Sequence, residues 1–128
     1  QEIWVKLLGN LAFNPVSALT KASMVEIAMD SDARSVVQTM MEEAYAVAEA
    51  LGVEIPISIE QRLAGAQKVG EHKTSMLQDV EAAKPIEIGG LVGSVLELGS
   101  LLGIPMPYTN TVYACTKLLA QKMIVGTA

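Results

Sequence analysis

Lys6, Asn10 and Asn14 fall at every fourth position of Lys6-Leu-Leu-Gly-Asn10-Leu-Ala-Phe-Asn14-Pro15. Residues spaced i, i+4, i+8 form one ladder on one face of a helix. Leu7, Leu8, Leu11, Ala12 and Phe13 stand between them and would wrap the rest of that helix in core. A cation with two amides on an apolar helix suits the wall of a pocket that holds a small polar, anionic molecule. The lysine is a candidate proton donor, since an apolar stem beside an amide favours desolvation and a lowered pKa. Taken alone it fits equally a surface lysine whose stem covers apolar area. The two asparagines are candidate polar lining of such a pocket, or helix-end groups that satisfy backbone, as Asn14 before Pro15 could.

A second polar signature is Lys73-Thr-Ser75-Met-Leu-Gln78-Asp79, followed by Ile86-Glu87-Ile. Ser75-Met-Leu-Gln78 has the form of a capping box, so Ser75 is expected to begin a helix. A helix start offers free N–H groups, a hydroxyl and a positive dipole end, which suit an anion as well as a plain cap. Glu87 stands where a first helical turn favours a carboxylate. It could accept hydrogen bonds from hydroxyls or simply face water. His72 is alone between Glu71 and Lys73 and reads as a loop residue. No Cys, His and carboxylate cluster has metal-ligand spacing, so no metal site is expected.

The elements that must position these residues are all helical, because no stretch alternates like a half-buried strand. A first helix is predicted over 2–14, with Pro15 starting a new short piece to Lys21 and another short piece over 24–28. Asp30 or Ser31 caps a long helix over 32–51, ended at Gly52, with an inner face of Val36, Met40, Ala44, Val47 and Leu51. Ser58-Ile-Glu-Gln61 opens a helix to about Val69. The helix from Ser75 ends before Pro85, another runs from Glu87 to Leu102, and a last one covers 109–124. Gly89, Gly90, Gly93 and Gly99 weaken the helix from Glu87 and are expected to permit close approach of a helix or ligand. The fold class is therefore all-α: a compact bundle of about seven to eight helices in one domain over 1–128.

The chain is 128 residues long, 51% hydrophobic and only 4% aromatic. Its mean hydropathy is +0.37, greasier than an average soluble domain. That balance predicts a face normally covered by a partner, since large exposed apolar patches are uncommon on monomers. The apolar segment 91–107 and the last helix, with Val112, Cys115, Leu118 and Leu119, point to a homodimer. The net charge of −5 argues against nucleic acid, whose binders need a basic stripe. Cys115 is the one cysteine, expected in the core, and its isolation fits a reducing cytoplasm. The greasiest window is too short and too interrupted to span a membrane. The sequence starts without Met, in mid-pattern, as a fragment would.

The two signatures together resemble the C-terminal domain of the ketopantoate reductases, the NADP-dependent 2-dehydropantoate 2-reductases of pantothenate biosynthesis. The resemblance runs from about Trp4 to about Gln121. It implies a helical domain like that of the 6-phosphogluconate-dehydrogenase-like reductases, acting on a small 2-oxo acid. A preceding Rossmann nucleotide-binding domain would be absent from this chain and would hold most of the NADP. On the same resemblance Lys6 is the acid that protonates the carbonyl oxygen, Asn10 and Asn14 bind substrate oxygens, and Ser75 holds the carboxylate. Glu87 reaches the cofactor ribose. Three positions depart from the family pattern: Met24 stands in place of an asparagine, and Gly89 and Val92 in place of polar residues. The rival expectations are a related hydroxy-acid dehydrogenase, and a helical dimerisation or scaffold module with a vestigial site.

Overall fold

Pro15 decides the shape of the first element. The computed structural model describes residues 2–86 and 90–127, with side chains over 3–86, 90 and 92–123. Instead of breaking at Pro15, the chain runs helical from α1 (Glu2–Leu8) through a π-helical segment (Gly9–Phe13) into α2 (Asn14–Thr20). Backbone angles stay helical at both joins, with φ −56° and ψ −43° at Leu8 and φ −63° and ψ −42° at Phe13. A proline inside a helix donates no hydrogen bond, and its ring presses on the carbonyl four residues back. That carbonyl belongs to Leu11, inside the π segment, whose wider turn relieves the clash. The helix stops at Lys21, which adopts a left-handed φ of 63° and donates its N–H to the Ser17 carbonyl.

α3 (Met24–Met29) opens on a reciprocal capping box between Ser23 and Glu26. Asp30 caps α4 (Ser31–Ala50), and Ser58 with Gln61 caps α5 (Ile59–Lys68), as the sequence predicts. α4 is the central helix. Val37, Met40, Met41, Ala44, Val47 and Ala48 are buried along it. The predicted stripe is right at Met40, Ala44 and Val47, but Val36 is only half-buried and Leu51 is exposed. Leu51 is already the C-cap, where the chain turns away from the core. Leu7, Leu8, Leu11, Ala12 and Phe13 close the same core from the first helix, each at most 2% exposed. Burial of a large aliphatic or aromatic side chain contributes about 1.5–3 kcal/mol, which makes this face the main anchor of the ladder.

The remaining elements are α6 (Ser75–Glu81), α7 (Gly90–Leu102) and α8 (Pro107–Thr127). A small second core of Ala18, Met76 and Ile86, backed by Leu119, Ala120 and Met123, binds α2, α6 and α8 together. In α7, a Cβ at Gly99 would lie 2.7 Å from the Met106 sulfur and 3.3 Å from the Ile104 carbonyl oxygen. Only glycine lets the chain fold back so closely, and the Ile104 N–H closes the turn on the Gly99 carbonyl at 2.8 Å. Gly93 likewise admits the Tyr113 hydroxyl. Cys115 is exposed rather than in the core. The inward face of α8 is Thr109, Val112, Thr116 and Leu119, and Cys115 sits one residue off it. Among the described residues no strand is present and no helix is long and apolar enough to cross a membrane.

The α8 start is held by an interaction the sequence did not signal. The Glu43 carboxylate, buried on α4, accepts the Tyr108 N–H at 3.0 Å, the Thr109 N–H at 2.9 Å and the Thr109 hydroxyl at 2.6 Å. These are first-turn donors with no partner inside their own helix. Glu43 thus caps a helix more than sixty residues away in sequence.

Candidate functional site

In an α-helix each i to i+4 step overshoots one turn by about 40°, so Lys6, Asn10 and Asn14 would fan by about 80°. The π segment carries more residues per turn and takes back part of that overshoot. The amides of Asn10 and Asn14 consequently meet: Asn14 Nδ2 donates to Asn10 Oδ1 at 2.9 Å. The pairing leaves the Asn10 NH₂ as donor and the Asn14 carbonyl oxygen as acceptor. An amide pair of this kind can give hydrogen bonds to one ligand oxygen and accept one from a hydroxyl. Both asparagines are partly buried, with the fully buried Gly9, Leu11 and Phe13 around them.

Lys6 lies in the last turn of α1 and is solvent-exposed. The shielding expected for it is not provided by the described residues. It precedes Asn14 by about two turns of helix.

Ser75 stands at the start of α6, but not as its cap. The N-cap of α6 is Thr74, whose hydroxyl accepts the Leu77 N–H at 3.2 Å, and Ser75 is the first helical residue. The expected Ser75 capping box therefore does not form, and a simple cap stands one residue earlier, because the preceding threonine has the extended φ and ψ a cap requires. This leaves the exposed Ser75 hydroxyl uncommitted among the described residues. Thr74 also bonds the Ser17 hydroxyl, which in turn donates to the Asn14 carbonyl at 2.9 Å. A buried relay thus runs from the backbone of Asn14 to the residue before Ser75. The loop leading there is fixed to the start of α3, since the Met24 and Val25 N–H groups donate to the His72 and Gly70 carbonyls. Met24 itself packs into the main core, as does the partly buried Val92, so neither apolar departure is accidental filler.

Glu87 and Gly89 lie outside the described residues. Lys73 forms an exposed ion pair with Glu81 at 2.9 Å, which accounts for it structurally. Gln78 turns back to the Lys73 carbonyl at 3.0 Å. No group of His, Cys, Asp and Glu among the described residues could hold a metal ion.

One residue near the ladder was missed by sequence reading. Arg62 on α5 places its guanidinium carbon 5.8 Å from the Phe13 ring centroid, and its Nη2 fills the space beside Gly9. Burial holds its pKa below the ordinary arginine range. Its Nε, like the Tyr45 hydroxyl, is shielded from solvent without a hydrogen-bond partner. A lone arginine in a helix that otherwise reads as amphipathic gives no sequence signal of this.

The family model for the C terminal of the PanE/ApbA ketopantoate reductases matches residues 1–120. A 2-dehydropantoate 2-reductase of Mesorhizobium japonicum is 52% identical over 119 residues, covering 93% of this chain and 36% of that protein. The crystal structure of 2-dehydropantoate 2-reductase from Methylococcus capsulatus superposes with a TM-score of 0.83 at 34% identity, over 94% of this chain and 42% of that one. A D-mandelate dehydrogenase structure with NADH and anilino(oxo)acetate gives a TM-score of 0.82 at 22% identity, over 95% of this chain and 69% of that one, a likeness of fold. The chain spans 36% and 39% of the lengths of the first two curated relatives it matches.

Proposed function

Since the chain belongs to the ketopantoate reductase C-terminal family, we propose that it is the substrate-gripping part of an NADP-dependent 2-dehydropantoate 2-reductase-like oxidoreductase. The reaction reduces the 2-oxo group of a small oxo acid to a hydroxyl. The observation that carries the reading is the Asn10–Asn14 amide pair on the π-helical segment, with Lys6 four residues before Asn10 in sequence. NADPH, when bound to the longer protein, supplies the hydride. Its phosphates need a glycine-rich turn between strand and helix, and the described residues of this chain contain no strand. The nucleotide is therefore assigned to a preceding Rossmann domain, with Glu87 as this chain's own contribution, reaching the ribose hydroxyls.

The chain's residues act on the oxo acid. Asn10 donates its free N–H groups to a substrate oxygen, and Asn14 accepts from a substrate hydroxyl. Ser75 donates to the carboxylate. Lys6 gives its proton to the 2-oxo oxygen as the carbon takes the hydride, so that the alcohol leaves neutral and the lysine is recharged from water. The covering domain would exclude water around Lys6 and strengthen that proton transfer.

Apolar Met24 and Val92 favour a second reading within the same chemistry. Polar site groups discriminate strongly for substrate hydroxyls, and their replacement relaxes or changes that choice. A related hydroxy-acid dehydrogenase with an apolar 2-oxo acid substrate is the consequence. Steady-state assay of the longer protein with NADPH, against ketopantoate and a panel of apolar 2-oxo acids, separates the two. Turnover is expected with at least one of them, and faster with NADPH than NADH. The absence of turnover with every member would favour a scaffold module with a vestigial site.

We also propose a homodimer. Leu101, Leu102, Tyr108 and Leu118 are exposed by 77%, 42%, 45% and 58%, all on the α7–α8 side that the sequence marks as greasy. A specific helix–helix interface there would cover well over about 1,000 Å². Light scattering at micromolar concentration is expected to give twice the chain mass. A mass near 13.6 kDa that does not change over a tenfold dilution would rule it out.

A further inference from the structure

We propose that Ser17 and Thr74 are positioning residues for Ser75, holding its hydroxyl in register with the Asn10–Asn14 pair. The inference rests on the reading above, in which these three groups grip one oxo acid. Two buried hydroxyls link the helices concerned, and the direction of every proton between them is fixed. A carbonyl only accepts, so Ser17 gives its one proton to the Asn14 carbonyl at 2.9 Å. The bond between the two hydroxyls is then donated by Thr74 and accepted by Ser17. Thr74 in turn accepts the Leu77 N–H at 3.2 Å. Leu77, Thr74, Ser17 and Asn14 thus form one directional chain with no proton left to reorient. Ser17 is wholly buried and Thr74 nearly so, which keeps water from competing.

Each end of this chain is tied to a residue of the proposed grip. The Asn14 N–H already donates to the Gly9 carbonyl across the π segment, so Ser17 fixes the other side of a residue that is held. The Asn14 side chain carries half of the amide pair. At the far end Thr74 is the N-cap of α6, and Ser75 follows it as the first helical residue. The cap of α6 therefore stands two hydrogen bonds from the Asn14 carbonyl.

Stability alone does not call for this arrangement. Met76 and Leu77 already hold α6 by burial, which is non-directional. A matched apolar pair in place of the two hydroxyls would join the helices about as well. What the hydrogen bonds add is placement, because they weaken steeply with distance and angle. A ligand gripped from two separate helical runs needs that placement.

The test uses the proposed longer reductase with NADPH. The probes are ketopantoate and the apolar 2-oxo acids of the panel, which share the carboxylate. Ser17→Ala removes the relay and leaves the amides and Ser75 unchanged. It should raise the KM for the oxo acid about tenfold, the range for one hydrogen bond to a charged group. The kcat should stay within about threefold, because the weakened contact serves ground state and transition state alike. The KM for NADPH should not move, which a general loosening of the fold would not allow. Thr74→Ser keeps the hydroxyl and the cap and should stay within about twofold of wild type. A rise there as large as in Ser17→Ala would trace the effect to packing and overturn the role. Ser17→Ala with Thr74→Val leaves no hydroxyl unpaired, should show at least the same rise, and serves where the single variant does not fold. In a Ser75→Ala background, Ser17→Ala should add less than about twofold, since a residue that acts through Ser75 has nothing left to position. Persistence of the whole increase in that background would overturn the role. It also falls if both relay variants leave the KM within about twofold while an oxo acid is turned over, and the oxo-acid reading then stands. Turnover of no probe by the wild type removes the reading and the positioning role together.

Discussion

Replacing Lys6 by alanine in the proposed longer reductase is expected to lower kcat by about 10²-fold or more and to move KM far less. A positioned acid is worth about 10²- to 10⁴-fold, because it neutralises the alkoxide as it forms and contributes little to ground-state binding. In the proposed role Lys6 stands one turn before the paired amides, and because it is exposed in this chain the proposed covering domain would have to supply its shielding. Lys6→Arg separates proton delivery from charge. Arginine stays charged, but its very high pKa makes it a poor donor, so kcat should remain low. Lys73 provides the contrast, since its charge is already taken by Glu81. Lys73→Ala should leave kcat within about a factor of two, the usual result for an exposed pair of small net worth. If Lys6→Ala keeps activity within a factor of two of wild type, the proton comes from elsewhere. If Lys6→Arg restores most of the rate, the lysine acts as a charge and not as an acid.

Sequence reading located the helices by periodicity and caps, both of which are local. Ser58–Gln61 is a reciprocal box spanning four residues, and short-range rules of this kind see it, whereas the equally local Ser23–Glu26 box was not read from the sequence. The Asn10–Asn14 spacing was legible for the same reason. What the sequence concealed has two physical sources. The first is competition between local signals: Thr74 and Ser75 are both good caps, and the Thr74 bond to Ser17 in another helix decides between them. Pro15 similarly suggested a break, yet burial of Leu11, Ala12 and Phe13 within the π segment keeps the helix continuous. The second source is distance in sequence. Arg62 meets Gly9 and Phe13, and Glu43 meets Thr109, across separations that no window of periodicity covers. Cys115 failed on a finer point, since one residue on a helix turns a side chain by about 100°.

Glu43→Ala is expected to destabilise the chain by about 2–4 kcal/mol, the largest effect of any single polar change away from the ladder. The carboxylate accepts three hydrogen bonds, two of them from backbone N–H groups in the first turn of α8. Alanine would leave the Thr109 N–H buried without a partner and strip α8 of its cap, which costs about 1 kcal/mol on its own. The Thr109 hydroxyl, fully buried, would be orphaned as well. Glu43→Gln should cost roughly half as much, since its carbonyl oxygen can still accept while its NH₂ faces donors. Glu42, the exposed neighbour, is the control, and Glu42→Ala should change stability by less than about 0.5 kcal/mol. Urea unfolding followed by circular dichroism measures all three. A Glu43→Ala midpoint equal to wild type would show that α8 is held by its apolar contacts alone. The consequence reaches the candidate site through packing. Leu119, Ala120 and Met123 of α8 back Met76, the second residue of α6, and Ser75 is its neighbour. Loosening α8 at its first turn should therefore raise amide exchange at Met76 and Leu77, while the Asn10–Asn14 pair, anchored in the main core, keeps its protection.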